Sequence, residues 1–155
     1  MDFAIPRFSY ALASSAHGAA LVDGADYTVS GFFGSDTAYV NASADARDVA
    51  AAFNLISGNT GIAASAETRA RLTMSAAGTI TFSLYGKSST ASTVTATVTA
   101  NSDLTNLKDA INGVSGSTGI EATLTSDKAG VNIINPEGYT IYCLLYTSDA
   151  ADEED

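Results

Sequence analysis

Residues 53–64, Phe-Asn-Leu-Ile-Ser-Gly-Asn-Thr-Gly-Ile-Ala-Ala, lie over residues 111–122, Ile-Asn-Gly-Val-Ser-Gly-Ser-Thr-Gly-Ile-Glu-Ala, at an offset of 58 residues. Asn54 falls on Asn112, Ser57 on Ser115, Gly58 on Gly116, and Thr60-Gly61-Ile62 on Thr118-Gly119-Ile120. An internal repeat of this kind organises a fold, because each copy must build the same local structure.

Working backwards from the match, both copies show the same apolar seam. Leu104, Leu107, Ile111 and Val114 are spaced three, four and three apart, as are Ala46, Val49, Phe53 and Ile56, which puts each set on one helix face. The spacing predicts helices at about Ala44 to Ser57 and Asp103 to Ser115. Ser43 and Ser102 stand at the N-cap positions, Asp45 and Asp103 in the first turn, and Gly58 and Gly116 at the left-handed stop. Phe53 and Ile111 are expected at equivalent buried positions.

Strand periodicity surrounds each helix. Thr79 to Tyr85 sets Ile80, Phe82 and Leu84 on one side, and Thr93 to Thr99 alternates Val94, Ala96 and Val98 with threonine. The loop Gly86 to Ser92 joins them. In the first copy the pair is Tyr27 to Phe33 and Thr37 to Asn41, joined through Gly34, Ser35 and Asp36. Two short strands follow each helix, at Gly61 to Ala66 with Arg71 to Ser75, and at Gly119 to Ser126 with Gly130 to Asn135. The sequence thus predicts an α+β protein of two repeated strand-strand-helix-strand-strand modules with mostly antiparallel sheet. The expected divisions are an N-terminal segment 1–26 of no assigned structure, modules at 27–77 and 78–142, and a non-native tail at 143–155.

That tail has its own reading. Cys143 to Glu153, Cys-Leu-Leu-Tyr-Thr-Ser-Asp-Ala-Ala-Asp-Glu, is what a common tagmentation sequencing adapter encodes in one frame, so it is set aside from fold reasoning, as are Glu154 and Asp155. Residues past Tyr142 are then expected to pack on nothing. The only cysteine leaves with them, and with it any disulfide framework, thiol catalysis or cysteine zinc site. Five of the seventeen acids also leave, so twelve face seven basic residues and the charge becomes −5 instead of −10. An acidic chain repels phosphate backbones, which excludes a nucleic-acid partner. No run approaches the roughly 20 apolar residues of a membrane-spanning helix, and Met1 to Arg7 lacks the layout of a secretory signal.

Residues that carry chemistry elsewhere have plainer roles here. His17 is the only histidine, with Ser14, Ser15 and Asp23 near it in sequence, but no Gly-x-Ser-x-Gly elbow accompanies it. It reads as a solvated or hydrogen-bonded histidine. Asp23 and Asp26 about Gly24 read as a turn and not a calcium loop. Asp45 and Asp48 read as a helix N-terminus, and Arg69 and Arg71 as one solvated strand face. Asn41-Ala42-Ser43 matches an N-glycosylation sequon by chance. No catalytic, cofactor or metal residue is assigned, and the chain is not expected to be an enzyme.

The run Asp103-Leu-Thr-Asn-Leu-Lys-Asp-Ala-Ile-Asn-Gly-Val-Ser-Gly-Ser-Thr-Gly-Ile-Glu-Ala-Thr-Leu124 resembles the hook-and-flagellin IN motif, named for the pair present here as Ile111-Asn112. The motif residues are Asn54, Gly61, Ile111, Asn112 and Gly119, and the first copy departs from the pattern in having Phe53 for isoleucine. The resemblance implies the variable outer region of a bacterial flagellin: an extracellular structural segment of the flagellum, exported without a signal peptide, whose partners are other flagellin subunits through helical rods outside this sequence. Host receptors or glycans are further partners it implies, and Ser88, Ser89 and Thr90 in the loop after Gly86 are O-glycosylation acceptors, or else an ordinary hairpin loop. The alternative is a module of a filament-cap or hook-associated protein, or of a secreted adhesin.

Overall fold

The computed structural model describes residues 24–145. It is α+β, with eight strands in mostly antiparallel sheets and four short helices among the described residues. The chain divides into two compact units. The first runs to Arg71 and takes in Ile133–Ile141; the second is Leu72–Asn132 with the segment from Tyr142.

In the first unit β1 (Ala25–Ser30) and β2 (Ser35–Val40) form an antiparallel hairpin, Ala25 opposite Val40 and Ser30 opposite Ser35. The turn is Gly31 to Gly34, closed by the Gly31 N–H donating to the Gly34 carbonyl at 2.8 Å. Alternation along β2 buries Ala38 and Val40 on one face and leaves Tyr39 exposed on the other. Helix α1 (Ala46–Leu55) packs on β2 and buries Ala50. Its cap is Asp45, whose carboxylate accepts the Asp48 N–H at 2.8 Å. Ser43, expected in that role, instead has φ +68° in the preceding turn, and Asp45 is the residue that meets the free N–H groups of the first helical turn. The unit closes with β3 (Thr68–Leu72) and the turn after Asn135. There the buried Asn135 side-chain oxygen accepts the N–H groups of Glu137 and Tyr139, and the Arg47 guanidinium lies 4.4 Å from the Tyr139 ring centre while donating to its hydroxyl.

In the second unit β4 (Gly78–Tyr85) and β5 (Ser92–Val98) pair antiparallel, with Ile80 opposite Ala96 and Phe82 opposite Val94. One face sends Phe82, Leu84, Val94, Ala96 and Val98 into the core; the other carries hydroxyl pairs, Thr79 with Thr97 and Thr81 with Thr95. Helix α3 (Thr105–Gly113) lies on β5 and contributes Leu107 and Ile111, with Leu104 buried just ahead of it. Ser102 does not cap it: the Asp103 carboxylate accepts the Thr105 N–H and hydroxyl instead. Strand β6 (Glu121–Leu124) follows. The division between the units falls within β7 (Val131–Asn135).

Several expectations are corrected. Neither helix stops at Gly58 or Gly116. At Ile56 and Val114 the backbone leaves the helical region (φ −98°, ψ 4° and φ −109°, ψ 9°), then coils once more into α2 (Ser57–Thr60) and α4 (Ser115–Thr118). The left-handed residues are Gly61 (φ 74°) and Gly119 (φ 67°), where a side chain would be strained. Residues 61–66 form no strand, and Asp26 lies within β1, not in a turn. Phe53 is only half-buried, tilted against the exposed Tyr27 ring at 6.1 Å, because a two-stranded hairpin has too little surface to cover it. Past Tyr142 the chain does pack as far as Leu145: β8 (Tyr142–Leu145) adds to β4, Tyr142 opposite Tyr85 and Leu145 opposite Phe82. An apolar, β-forming Tyr-Cys-Leu-Leu beside an open strand edge satisfies that edge whatever its origin. His17, Asp23 and the chain after Leu145 lie outside the described residues.

Candidate functional site

The geometry that recurs in the chain is the exit from each helix. In the second unit the Asn112 side chain reaches Ala122 in β6, donating from Nδ2 to its carbonyl at 2.9 Å and accepting its N–H on Oδ1 at 2.8 Å. A primary amide carries an N–H donor and a carbonyl acceptor side by side in one plane, so Asn112 acts on β6 as a neighbouring strand residue would. Aspartate at this position would put a second acceptor against the Ala122 carbonyl. Ile111, beside it, is fully buried, so the Ile-Asn pair divides its work: one side chain fills the core and the next fixes the returning strand.

Thr118 completes the exit. Its hydroxyl donates to the Val114 carbonyl at 2.9 Å and accepts the Ile120 N–H at 3.2 Å, so it ties the end of the helix to the residue that enters the next segment. The Thr118 carbonyl in turn accepts the Lys87 N–H at 2.7 Å, an approach so close that a Cβ on Gly86 would lie 2.3 Å from that oxygen.

The first unit contains the same set. Asn54 donates to the Ala64 carbonyl and accepts its N–H, both at 2.8 Å. Thr60 bonds the Ile56 carbonyl at 2.9 Å and the Ile62 N–H at 3.2 Å, and a Cβ on Gly31 would meet the Thr60 oxygen. The difference is exposure: Asn112 is half-buried, whereas Asn54 is open to solvent.

Of the remaining residues, Ser88, Ser89 and Thr90 lie in the bend between β4 and β5, with Ser89 and Thr90 exposed and the Ser88 hydroxyl accepting the Thr90 N–H. Arg69 and Arg71 are exposed on β3, Arg69 paired with Glu67 at 2.7 Å. Two carboxyls titrate below the usual aspartate range. Asp36 is held there by the Asn59 amide and then the Thr37 N–H, and Asp103 by the Thr105 hydroxyl and then its N–H. Burial pushes the Cys143 thiol up to about 11. Among the described residues no group of three histidine, cysteine or acidic side chains converges as metal ligands would, and no helix is long and apolar enough to cross a membrane. The Asp45 and Asp48 pair, read from the sequence as a helix N-terminus, is where the cap forms.

These side chains hold backbone in place; they are the machinery of a structural module. Residues 79–135, from β4 to β7, match the family model of the flagellin hook IN motif. No curated protein matched the chain. The motif supports a flagellin-like protein, a structural component of the bacterial flagellar filament.

Proposed function

We propose that this chain is an outer segment of a flagellin, displayed on the filament surface and built from two related units, each a β-hairpin followed by a helix with the same asparagine-threonine-glycine exit. The observation that carries this reading is the recurrence of the Asn, Thr and left-handed Gly bonds 58 residues apart, when only the second copy falls under the family match. The polymerising helical rods belong to sequence outside it. Residues 143–153 are translated adapter, and β8 is an adventitious strand. The exposed Ser89 and Thr90, with Ser88 beside them, are the O-glycosylation acceptors, and the outward surfaces face host receptors or glycans.

The experiment is to splice residues 24–142 between the helical rods of a flagellin whose outer region has been deleted. The expected result is filaments that bind an antibody against the insert along their whole length. Labelling confined to the filament tip would favour the cap-protein reading, and loss of assembly with a folded insert would refute the outer-segment reading. Amplifying the reading frame without tagmentation tests the tail separately: the frame should diverge from the present one after Tyr142.

A further inference from the structure

Asn112, whose amide clamps β6, is followed by Gly113, and the chain has no other Asn-Gly pair: its remaining asparagines precede Ala, Leu, Thr, Ser, Ile or Pro. Nothing in the fold asks for glycine at this position. Gly113 is the last residue of α3, its φ is not left-handed, and a Cβ there would meet no atom within 4 Å. Gly86 and Gly119 differ from it, since a Cβ on Gly86 would lie 2.3 Å from the Thr118 oxygen and Gly119 has φ 67°. Glycine in a helix only loosens it. What glycine supplies here is chemical: no side chain hinders its backbone nitrogen from approaching the asparagine before it.

We propose that Asn112 and Gly113 form a self-modification site, in which the clamp amide converts to a carboxylate whenever the end of α3 opens. Hydroxide takes the Gly113 N–H proton, the nitrogen bonds to Asn112 Cγ, and the Cγ–Nδ2 bond breaks, so that ammonia leaves with a proton from water. Water then opens the cyclic imide. Breaking the new N–Cγ bond gives aspartate at position 112; breaking the original peptide bond gives isoaspartate. The sum is one water consumed and one ammonia released, with no change of oxidation state.

The fold sets the rate. Both sides of the amide are engaged by Ala122, at 2.9 and 2.8 Å, and helical backbone directs the Gly113 N–H toward the carbonyl four residues back, away from Cγ. The ring therefore closes only when the clamp and the last turn of α3 open together, a local excursion from the native state. Gly113 is exposed, so hydroxide has access to its N–H. The product does not restore the clamp, because a carboxylate has no N–H for the Ala122 carbonyl and isoaspartate lengthens the backbone by one carbon. The first copy has the same clamp, Asn54 on Ala64, but Leu55 follows it and sets a branched side chain beside the attacking nitrogen. The more exposed clamp is thus the durable one. The reaction does not depend on the filament reading.

The test incubates the full chain in buffer and in concentrated urea, at neutral and at alkaline pH. Peptide mass spectrometry reads the mass gain at each asparagine, with fragmentation that separates aspartate from isoaspartate. Asn112 should convert ahead of Asn54 in both solvents, faster in alkali, and into both products. Conversion should be at least about tenfold slower in the folded chain than in urea, the factor set by an opening free energy of ~1.4 kcal/mol. Gly113→Ala, for which the fold has room, should slow it a further tenfold or so while the amides of α3 stay protected. Amide exchange at Ala122 should rise in step with conversion in the parent and stay level in the variant. The proposal is overturned if folded Asn112 converts no faster than Asn54 or than the Gly113→Ala protein, if the rates in buffer and in urea coincide, if aspartate forms without isoaspartate, or if Ala122 stays protected after conversion.

Discussion

Ile111 and Phe53 stand 58 residues apart beside the same asparagine clamp, yet Ile111 is sealed from solvent and Phe53 is not. Around Ile111 the second unit buries Leu84, Val94, Val98, Leu104, Leu107 and Ile120. The first unit has Ala38, Val40, Ala44, Ala50 and Ile56, with Ile133 and Ile141, and it leaves Phe32, Phe33, Tyr39 and Leu55 largely in water. Both units therefore spell the same backbone path with the same hydrogen bonds, but only the second backs it with a filled core. The bonds choose the path, each worth about 1 kcal/mol net, and the apolar burial supplies most of the stability.

The sharpest way to break this comparison is truncation at the two positions. Ile111→Ala should cost about 2–5 kcal/mol in a denaturant titration, the usual range for a fully buried aliphatic side chain. Phe53→Ala should cost about 1–2 kcal/mol, because much of its ring is already wet. Equal losses would mean that the difference in exposure does not govern stability.

The clamps sharpen the same contrast. Asn112→Asp keeps the acceptor for the Ala122 N–H and sets a carboxylate against the Ala122 carbonyl in a half-buried site, so it should cost about 1–3 kcal/mol. At the exposed Asn54 the same change should cost under about 1 kcal/mol, since water replaces the lost donor. Native-state hydrogen exchange at Ala122 and Ala64 reads the two effects locally, and a larger loss at Ala64 would reverse the argument.

Much of this was legible in the sequence, for a physical reason. The repeat, the helix seam, the β4 and β5 alternation and the Ile-Asn pair are set by local periodicity and by short-range bonds, which residue order encodes directly. What escaped was set by packing partners. Ser43 resembles a cap as well as Asp45 does until the turn geometry decides between them. Residues 61–66 alternate like a strand but form no ladder. Nothing in the sequence marks β8 as a strand in preference to a loose end, because its pairing comes from the vacant edge of β4.

Acid separates the units more gently. Asp36 in the first and Asp103 in the second are both held below the ordinary aspartate pKa by hydrogen bonds to the charged form. A carboxyl depressed in the folded state adds stability that is complete above its unfolded pKa of about 3.9 and is lost as pH falls through the folded value. Stability should therefore decline below about pH 4. Asp103→Asn should flatten that decline for exchange in α3, and Asp36→Asn for exchange in β2. A variant that flattened the decline in the other unit would show that the two titrate as one structure.

The smallest effect tests whether strand number, not core filling, makes the second unit the stronger. Ending the chain at Tyr142 removes Cys143, Leu144 and Leu145 from the edge of β4 and leaves β4 and β5 as a two-stranded hairpin like β1 and β2. Leu144 and Leu145 are exposed by half or more, and the freed edge groups of β4 can bond to water, so the loss should be about 1 kcal/mol or less. Alkaline pH gives the same readout without truncation. The Cys143 thiol sits near pKa 11 in the fold against about 8.5 in an open chain, so the stability tied to it is full below about pH 8.5 and fades as pH rises through the folded value. Thiol labelling at pH 8 should accordingly be slower than in the denatured chain, and should accelerate toward pH 10 while the amides of α3 stay protected. If α3 lost protection together with β8, the third strand would be holding the core, and the contrast between the units would rest on strand count after all.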